Sequence, residues 1–123
     1  MKESVIQTQI VEYLSAISRS HGFLFFSVPN EALLSITKSL GINDRMSFAL
    51  LAILKKMGMT PGTSDLIIGH RSRMYCLEVK NEIGKQSENQ TIFEMNCKEY
   101  EIPYRLVRSV HDVSEALIEW GIV

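Results

Sequence analysis

Apolar residues recur at helical spacing near the start of the chain and then switch to strand-like alternation. Over residues 3–18 the positions Ile6, Ile10, Tyr13, Leu14 and Ile17 define one stripe of an amphipathic helix. At about 100° per residue, Glu3 falls along the middle of that stripe and Gln7 along its edge. His21-Gly22 ends the helix, and Phe23 to Val28 reads as a buried strand broken by Pro29 and Asn30. Glu31 to Leu40 fits a short helix ending at Gly41. Asn43 or Asp44 can cap a second, with Phe48, Leu51, Ile53, Leu54 and Met57 as its apolar positions and Gly58 as its stop.

Pro61-Gly62 is a turn signal before two short strands, one opening at Asp65 and one running from Met74 to Lys80, joined by a turn over residues 69–73. The polar stretch from Asn81 to Gln86 reads as a loop around Gly84. Ser87-x-x-Gln90 fits a capping box and opens a helix to about Tyr100. Tyr104 to Arg108 reads as a strand, and Ser109 caps a last helix carrying Val113, Ala116, Leu117 and Trp120 on one side. The order α-β-(α)-β-β-α-β-α predicts an α/β fold, a mixed β-sheet flanked by helices. No repeat or linker interrupts it, so residues 1–123 are expected to form a single domain.

Composition narrows the class. A hydrophobic fraction of 46% and a charged fraction of 22% are ordinary for a globular protein. No apolar run approaches the roughly 20 residues needed to span a bilayer, and the first residues lack the pattern of a signal peptide, so no membrane association is expected. Cys76 in a strand and Cys97 in a helix, without CxxC spacing, fit reduced cytoplasmic thiols. With 13 basic and 14 acidic residues the net charge is −1, so any nucleic-acid site must come from local clusters. Candidates are Lys55-Lys56, Arg71/Arg73, Lys80/Lys85 and Arg105/Arg108. His21, His70 and His111 are scattered without ligand spacing, and no Gly-rich phosphate loop is present, so a nucleotide cofactor is not expected.

The candidate chemistry lies in the hairpin. Glu78 and Lys80 project from the same side of their strand, and Asp65 opens the adjacent one. Two carboxylates and an ammonium at the ends of oily strands are costly alone and cheaper around a divalent cation and a phosphate. Hard cations such as Mg²⁺ take carboxylate and carbonyl oxygens, so Asp65, Glu78 and the backbone carbonyl of Val79 are candidate metal ligands. Lys80 would then orient water or stabilise negative charge on phosphate. The plainer alternative is a turn-ending Asp65 and a solvated Glu78/Lys80 pair on an edge strand.

Gly62-Thr63-Ser64-Asp65, Glu78-Val79-Lys80, Ser87-x-x-Gln90 and Leu106-Val107-Arg108-Ser109 together resemble the VRR-NUC branch of the PD-(D/E)XK nucleases. Glu3 with Gln7, Val28-Pro29-Asn30 and Met57-Gly58 resemble its phage-encoded, stand-alone members. Ser64 departs from the proline of the superfamily's name, a residue that shapes a turn and does no chemistry. The resemblance implies a restriction endonuclease-like core and a Mg²⁺- or Mn²⁺-dependent endonuclease. It also implies that Glu3 lies beside the metal and Gln90 faces it, making both candidate catalytic residues with Asp65, Glu78 and Lys80. Arg108 matches the family's arginine and, with Lys85 and Asn30, is a candidate DNA contact. Stand-alone relatives resemble structure-specific enzymes, including homodimers that cut four-way (Holliday) junctions, in the cytoplasm of a bacterium or phage-infected cell. Exposed apolar residues of the 31–57 region would suit such an interface. The alternatives are an inactive nucleic-acid-binding module of this fold, a sequence-specific restriction-type endonuclease, and a protein-interaction domain with solvated acids.

Overall fold

A computed structural model describes residues 1–28 and 32–123. Nine elements follow in order: α1 (Glu3–His21), β1 (Leu24–Ser27), α2 (Ala32–Ser39), α3 (Asp44–Lys56), β2 (Leu66–His70), β3 (Arg73–Val79), α4 (Glu88–Glu99), β4 (Tyr104–Val107) and α5 (Val110–Glu119). The strands form one sheet in the order β1-β2-β3-β4. Its first three strands are antiparallel neighbours, and β4 lies parallel to β3. The protein is therefore an α/β molecule with a four-stranded mixed sheet flanked by helices.

Strand alternation divides the core into two layers. Leu66 and Ile68 of β2, Tyr75, Leu77 and Val79 of β3, and Val107 of β4 pack with Ile6, Ile10 and Leu14 of α1 and Val113, Ala116 and Leu117 of α5. The intervening residues Ile67 and Cys76 turn to the opposite face, where they meet Cys97 of α4. By the same alternation Asp65, Glu78 and Lys80 belong to the α4 face. Cys76 and Cys97 are free and buried, and burial raises the pKa of Cys76 and pushes that of Cys97 up to about 12, which keeps both as neutral thiols.

Several boundaries differ from the sequence reading for local reasons. The first helix is an exception and ends at His21 as expected, with Gly22 at φ +69° closing it in the left-handed conformation. The hairpin turn narrows to Arg71 and Ser72, at φ 48° and 68°, because pairing continues as far as His70 opposite Arg73. Two successive positive φ values are those of a two-residue type I′ hairpin turn, and the absence of glycine there hides the turn. Asn43 rather than Asp44 caps α3, accepting a hydrogen bond from the Met46 N–H at 2.9 Å. Pro29, Asn30 and Glu31, and with them the Asn30 expectation, lie outside the described residues.

The α2–α3 pair inverts the usual polarity. Its buried contact includes Thr37 and Ser47, with Ser47 Oγ donating to Thr37 Oγ1 at 2.8 Å. Phe48, Ile53 and Met57 face outward, and of the apolar positions expected along the second helix only Leu51 is buried. Among the described residues no helix is long and apolar enough to cross a membrane.

Candidate active site

The β2–β3 register pairs Leu66 with Leu77, so one step further Asp65 stands opposite Glu78. Asp65 Oδ2 accepts the Val79 N–H at 2.7 Å. The next peptide N–H, that of Lys80, bonds to the Val107 carbonyl at 3.0 Å on the other edge. A strand residue's N–H and C=O leave from the same edge, so the Val79 carbonyl faces the Asp65 side.

Glu78 is 1% exposed. Its Oε2 accepts from Gln90 Nε2 at 2.9 Å and lies 4.0 Å from Lys80 Nζ, whereas Oε1 is buried without a hydrogen-bond donor. Burial pushes the Glu78 carboxyl up to about 9, and the neighbouring Asp65 carboxylate adds to this. Lys80 pulls the other way, and the charge of Glu3 contributes in the same sense as Asp65. Without a cation the pocket therefore favours a protonated Glu78.

Gln90 resolves an ambiguity left by the sequence, where the same residue could cap the helix or face the acids. It does both, by splitting its amide. Oε1 accepts the Ser87 N–H at 2.9 Å, completing the capping box, and Nε2 donates to Glu78. Glutamate could close the same box but would turn a second acceptor toward a carboxylate. The first turn of α4 is held close by Gly62, at φ +82°, where a Cβ would overlap the backbone of Asn89 and Gln90. The sequence signal there is a turn, and nothing local reports the close approach to α4.

Lys80 is 8% exposed, unusual for a lysine. The chain beyond it folds into a turn in which Gly84 N–H donates to the Asn81 carbonyl at 3.3 Å. A methyl group on Gly84 would lie 3.3 Å from both Lys80 Cδ and Glu3 Oε2. Arg108, just past β4 and exposed, donates through Nη1 to the carbonyls of Asn81 at 2.5 Å and Gly84 at 2.9 Å. Lys85 is exposed on the same loop.

Glu3 is exposed rather than turned into the core. Its helical stripe outruns the layer that buries Ile6, and the next position looks into a cleft of about 1130 Å³ lined also by Gln7, Asp65 and Gln90. Asp65, Glu78, Val79, Lys80 and Gln90 are thus brought together, with Glu3 at the rim. Among the described residues no three of the His, Cys, Asp and Glu side chains gather into a metal-holding group. Two carboxylates supplemented by a carbonyl remain a suitable set for Mg²⁺, which keeps several waters and commonly takes one or two protein carboxylates plus phosphate. The buried Glu78 Oε1, which accepts from no donor, fits the same requirement once the carboxyl is ionised.

Other basic candidates are partly engaged elsewhere. Arg105 pairs with Glu119, and Arg73 sits over the Tyr75 ring, 5.6 Å from its centroid. A smaller cavity of about 370 Å³, lined by Glu94, Lys98 and Tyr104 among others, opens beside α4. Gln86, which the sequence reading passed over, donates from Nε2 to Glu94 Oε1 and to the Tyr104 hydroxyl, each at 3.0 Å. That cavity carries a single acid and a lysine, Glu94 and Lys98, whereas the larger cleft takes in two acids, Glu3 and Asp65, the latter opposite Glu78, so the larger cleft is the stronger candidate site. Comparison with known proteins found no matching family model, no matching curated protein and no matching solved structure.

Proposed function

We propose that the protein is a metal-dependent endodeoxyribonuclease of the PD-(D/E)XK type, related to the VRR-NUC branch. Its substrate is branched DNA in the cytoplasm of a bacterium or phage-infected cell. The observation that carries this reading is Glu78: a buried carboxylate with one oxygen lacking a donor, opposite Asp65 and beside the Lys80 ammonium, next to an open cleft. A carboxylate placed so is expensive unless a proton or cation joins it. A purely structural position would be filled more cheaply by an apolar side chain. The four-stranded mixed sheet with flanking helices agrees with the core that such an enzyme needs.

In this reading Asp65, Glu78 and the Val79 carbonyl hold Mg²⁺ or Mn²⁺, and Glu3 at the cleft rim adds negative charge near the metal. The bound ion supplies Lewis acidity to the phosphate and lowers the pKa of attacking water. Gln90 fixes Glu78 by donating to Oε2, so that Oε1 would remain available to hold the cation. The Val79 N–H fixes Asp65 in the same way through Oδ2. Lys80 stabilises the negative charge that builds on the phosphate oxygens, an effect strengthened by its removal from water. A four-way junction has two-fold symmetry and two strands to cut, so a chain with one site would act on it as a homodimer.

Cleavage of a four-way junction and of a plain duplex, each with Mg²⁺, Mn²⁺ or a chelator, tests the proposal. Metal-dependent cleavage of the junction is expected. Asp65→Asn and Lys80→Ala are each expected to lower the single-turnover rate by about 10²–10³-fold with the fold retained. Cleavage that survives both substitutions refutes the site. Tight binding without cleavage under either metal favours a binding module, and one sharp recognition sequence on duplex favours a restriction-type enzyme.

A further inference from the structure

We infer that Arg108 is a positioning residue: it ties the Asn81–Gly84 turn down over Lys80, holding that ammonium beside Glu78 instead of gripping DNA itself. The inference rests on the functional reading above and concerns how its lysine is kept in place. A guanidinium Nη carries two N–H groups, and those of Arg108 Nη1 point to the carbonyls at the two ends of one turn, Asn81 O and Gly84 O. The turn closes on itself through the Gly84 N–H to Asn81 O bond and the Ile83 N–H to Asn81 Oδ1 bond, both 3.3 Å. One nitrogen therefore bridges both ends of the Asn81–Gly84 turn.

Both ends of the tie are anchored. Val107, immediately before Arg108, is fully buried in the main core. The Arg108 backbone N–H donates to Asp112 Oδ2 at 2.8 Å, and the Asp112 N–H donates to Ser109 Oγ at 3.1 Å. Arg108 is thus placed by the start of α5 and reaches across to the chain leaving β3. At the other end, Gly84 lies against the Lys80 stem and the Glu3 carboxylate so closely that a methyl group there forces its neighbours to shift. Lysine has a flexible four-carbon stem, and burial beneath a fixed turn removes most of its alternatives.

The test combines three measurements on the whole protein and its Arg108→Ala variant. The first is the acylation rate of the Lys80 amine by an N-hydroxysuccinimide ester, read by peptide mass spectrometry. The second is junction binding with Ca²⁺ across a range of salt, and the third is single-turnover cleavage with Mg²⁺. The tie predicts Lys80 acylation faster by about tenfold through easier local opening, slower cleavage, and an unchanged slope of affinity against salt. A direct phosphate contact instead predicts a slope reduced by about one and weaker binding, with Lys80 labelling unchanged; that result overturns the inference. Should Arg108→Ala fail to fold, Arg108→Lys and Gly84→Ala serve in its place. The first keeps the charge without the planar fork and the second crowds the turn, and unchanged Lys80 labelling in both overturns the inference. If the wild type cuts no DNA, the nuclease reading fails, while the labelling still decides whether Arg108 ties the turn.

Discussion

The end of β3 and the α2–α3 pair both invert the rule that oil goes inside and charge outside, and they do so in opposite directions. At the end of β3, Glu78 and Lys80 are 1% and 8% exposed. On α2–α3 and the turns that follow these helices, Leu40 and Met57 are 72% and 78% exposed, while the polar Thr37 and Ser47 are buried. The two inversions differ in cost. Leaving a large apolar side chain in water forfeits about 1.5–3 kcal/mol of burial, whereas burying an ion costs several kcal/mol after relaxation. They also differ in support. Glu78 and Lys80 are held by groups from two other parts of the chain: Gln90 on α4 and the turn fixed by Arg108. The costlier inversion is the one with dedicated scaffolding, which makes it the better evidence for a ligand.

The largest break of that scaffolding is Gly62→Ala. Gly62 combines a positive φ with a backbone-to-backbone approach to Asn89 and Gln90, so an added methyl group has nowhere to go. Strain and displacement together are expected to cost about 2–4 kcal/mol, lowering the thermal midpoint by ten degrees or so. Because the displaced element is the first turn of α4, the Gln90-to-Glu78 bond goes with it, and cleavage should fall further than stability alone explains. Calorimetry beside single-turnover kinetics checks this; a variant with an unchanged midpoint would separate the buried charge from its supposed support.

A smaller effect, opposite in sign, is expected of Glu78→Gln. The Glu78 pKa is raised from a carboxyl's usual 4.5 to about 9 in the folded protein, chiefly by burial and then by Asp65. Its folded state therefore holds the proton more tightly than the unfolded chain does. The stabilisation is complete below the unfolded value and is lost as pH rises between 4.5 and about 9. The metal-free protein should lose stability over that window, and Glu78→Gln should remove this part of the loss. At about pH 8 the variant is expected to be more stable by about 1–2 kcal/mol, a fraction of the ~1.4 kcal/mol per unit limit. Mg²⁺ should raise the midpoint of the wild type most at the alkaline end, where proton competition is weakest, and leave the variant nearly unmoved. Thermal melts at several pH values, with and without Mg²⁺, decide the matter. A flat profile for the wild type would mean that water reaches Glu78 after all.

What the sequence made legible follows the range of each interaction. Period-two alternation and a nearby turn place Asp65, Glu78 and Lys80 on one face, and the i, i+3 spacing of Ser87 and Gln90 announces the capping box; all of these are local. The turn itself is local too, but Arg71 and Ser72 adopt positive φ without the glycine that would advertise it. Glu3 is a half-success: helical periodicity puts it on the stripe and cannot reveal that the stripe runs past the sheet into a cleft. The bonds from Arg108 to Asn81 and Gly84 join residues 27 and 24 positions apart, and the Gly62 approach to α4 is similarly distant. No spacing rule reports such contacts. Phe48, Ile53 and Met57 read as one apolar set on a helix, but a pattern shows only that residues share character, not that anything covers them.

The smallest expected effect tests that other region. Replacing Leu40, Phe48 and Met57 together by serine removes apolar groups that are already in water, so each should change the stability of a single chain by no more than about 0.5 kcal/mol. A second copy covering any of these three residues would change the outcome in one specific way. Association stabilises the folded form by mass action, so the wild-type thermal midpoint would rise with protein concentration, and the triple variant's midpoint would not. The two proteins should therefore melt together when dilute and diverge when concentrated, with light scattering showing a species heavier than the 14.0 kDa chain for the wild type alone. If the wild type stays at that mass and its midpoint ignores concentration, these three residues are not a self-association surface. The homodimer proposed for junction cleavage would then need another interface, and buried charge would remain the molecule's one inversion tied to function.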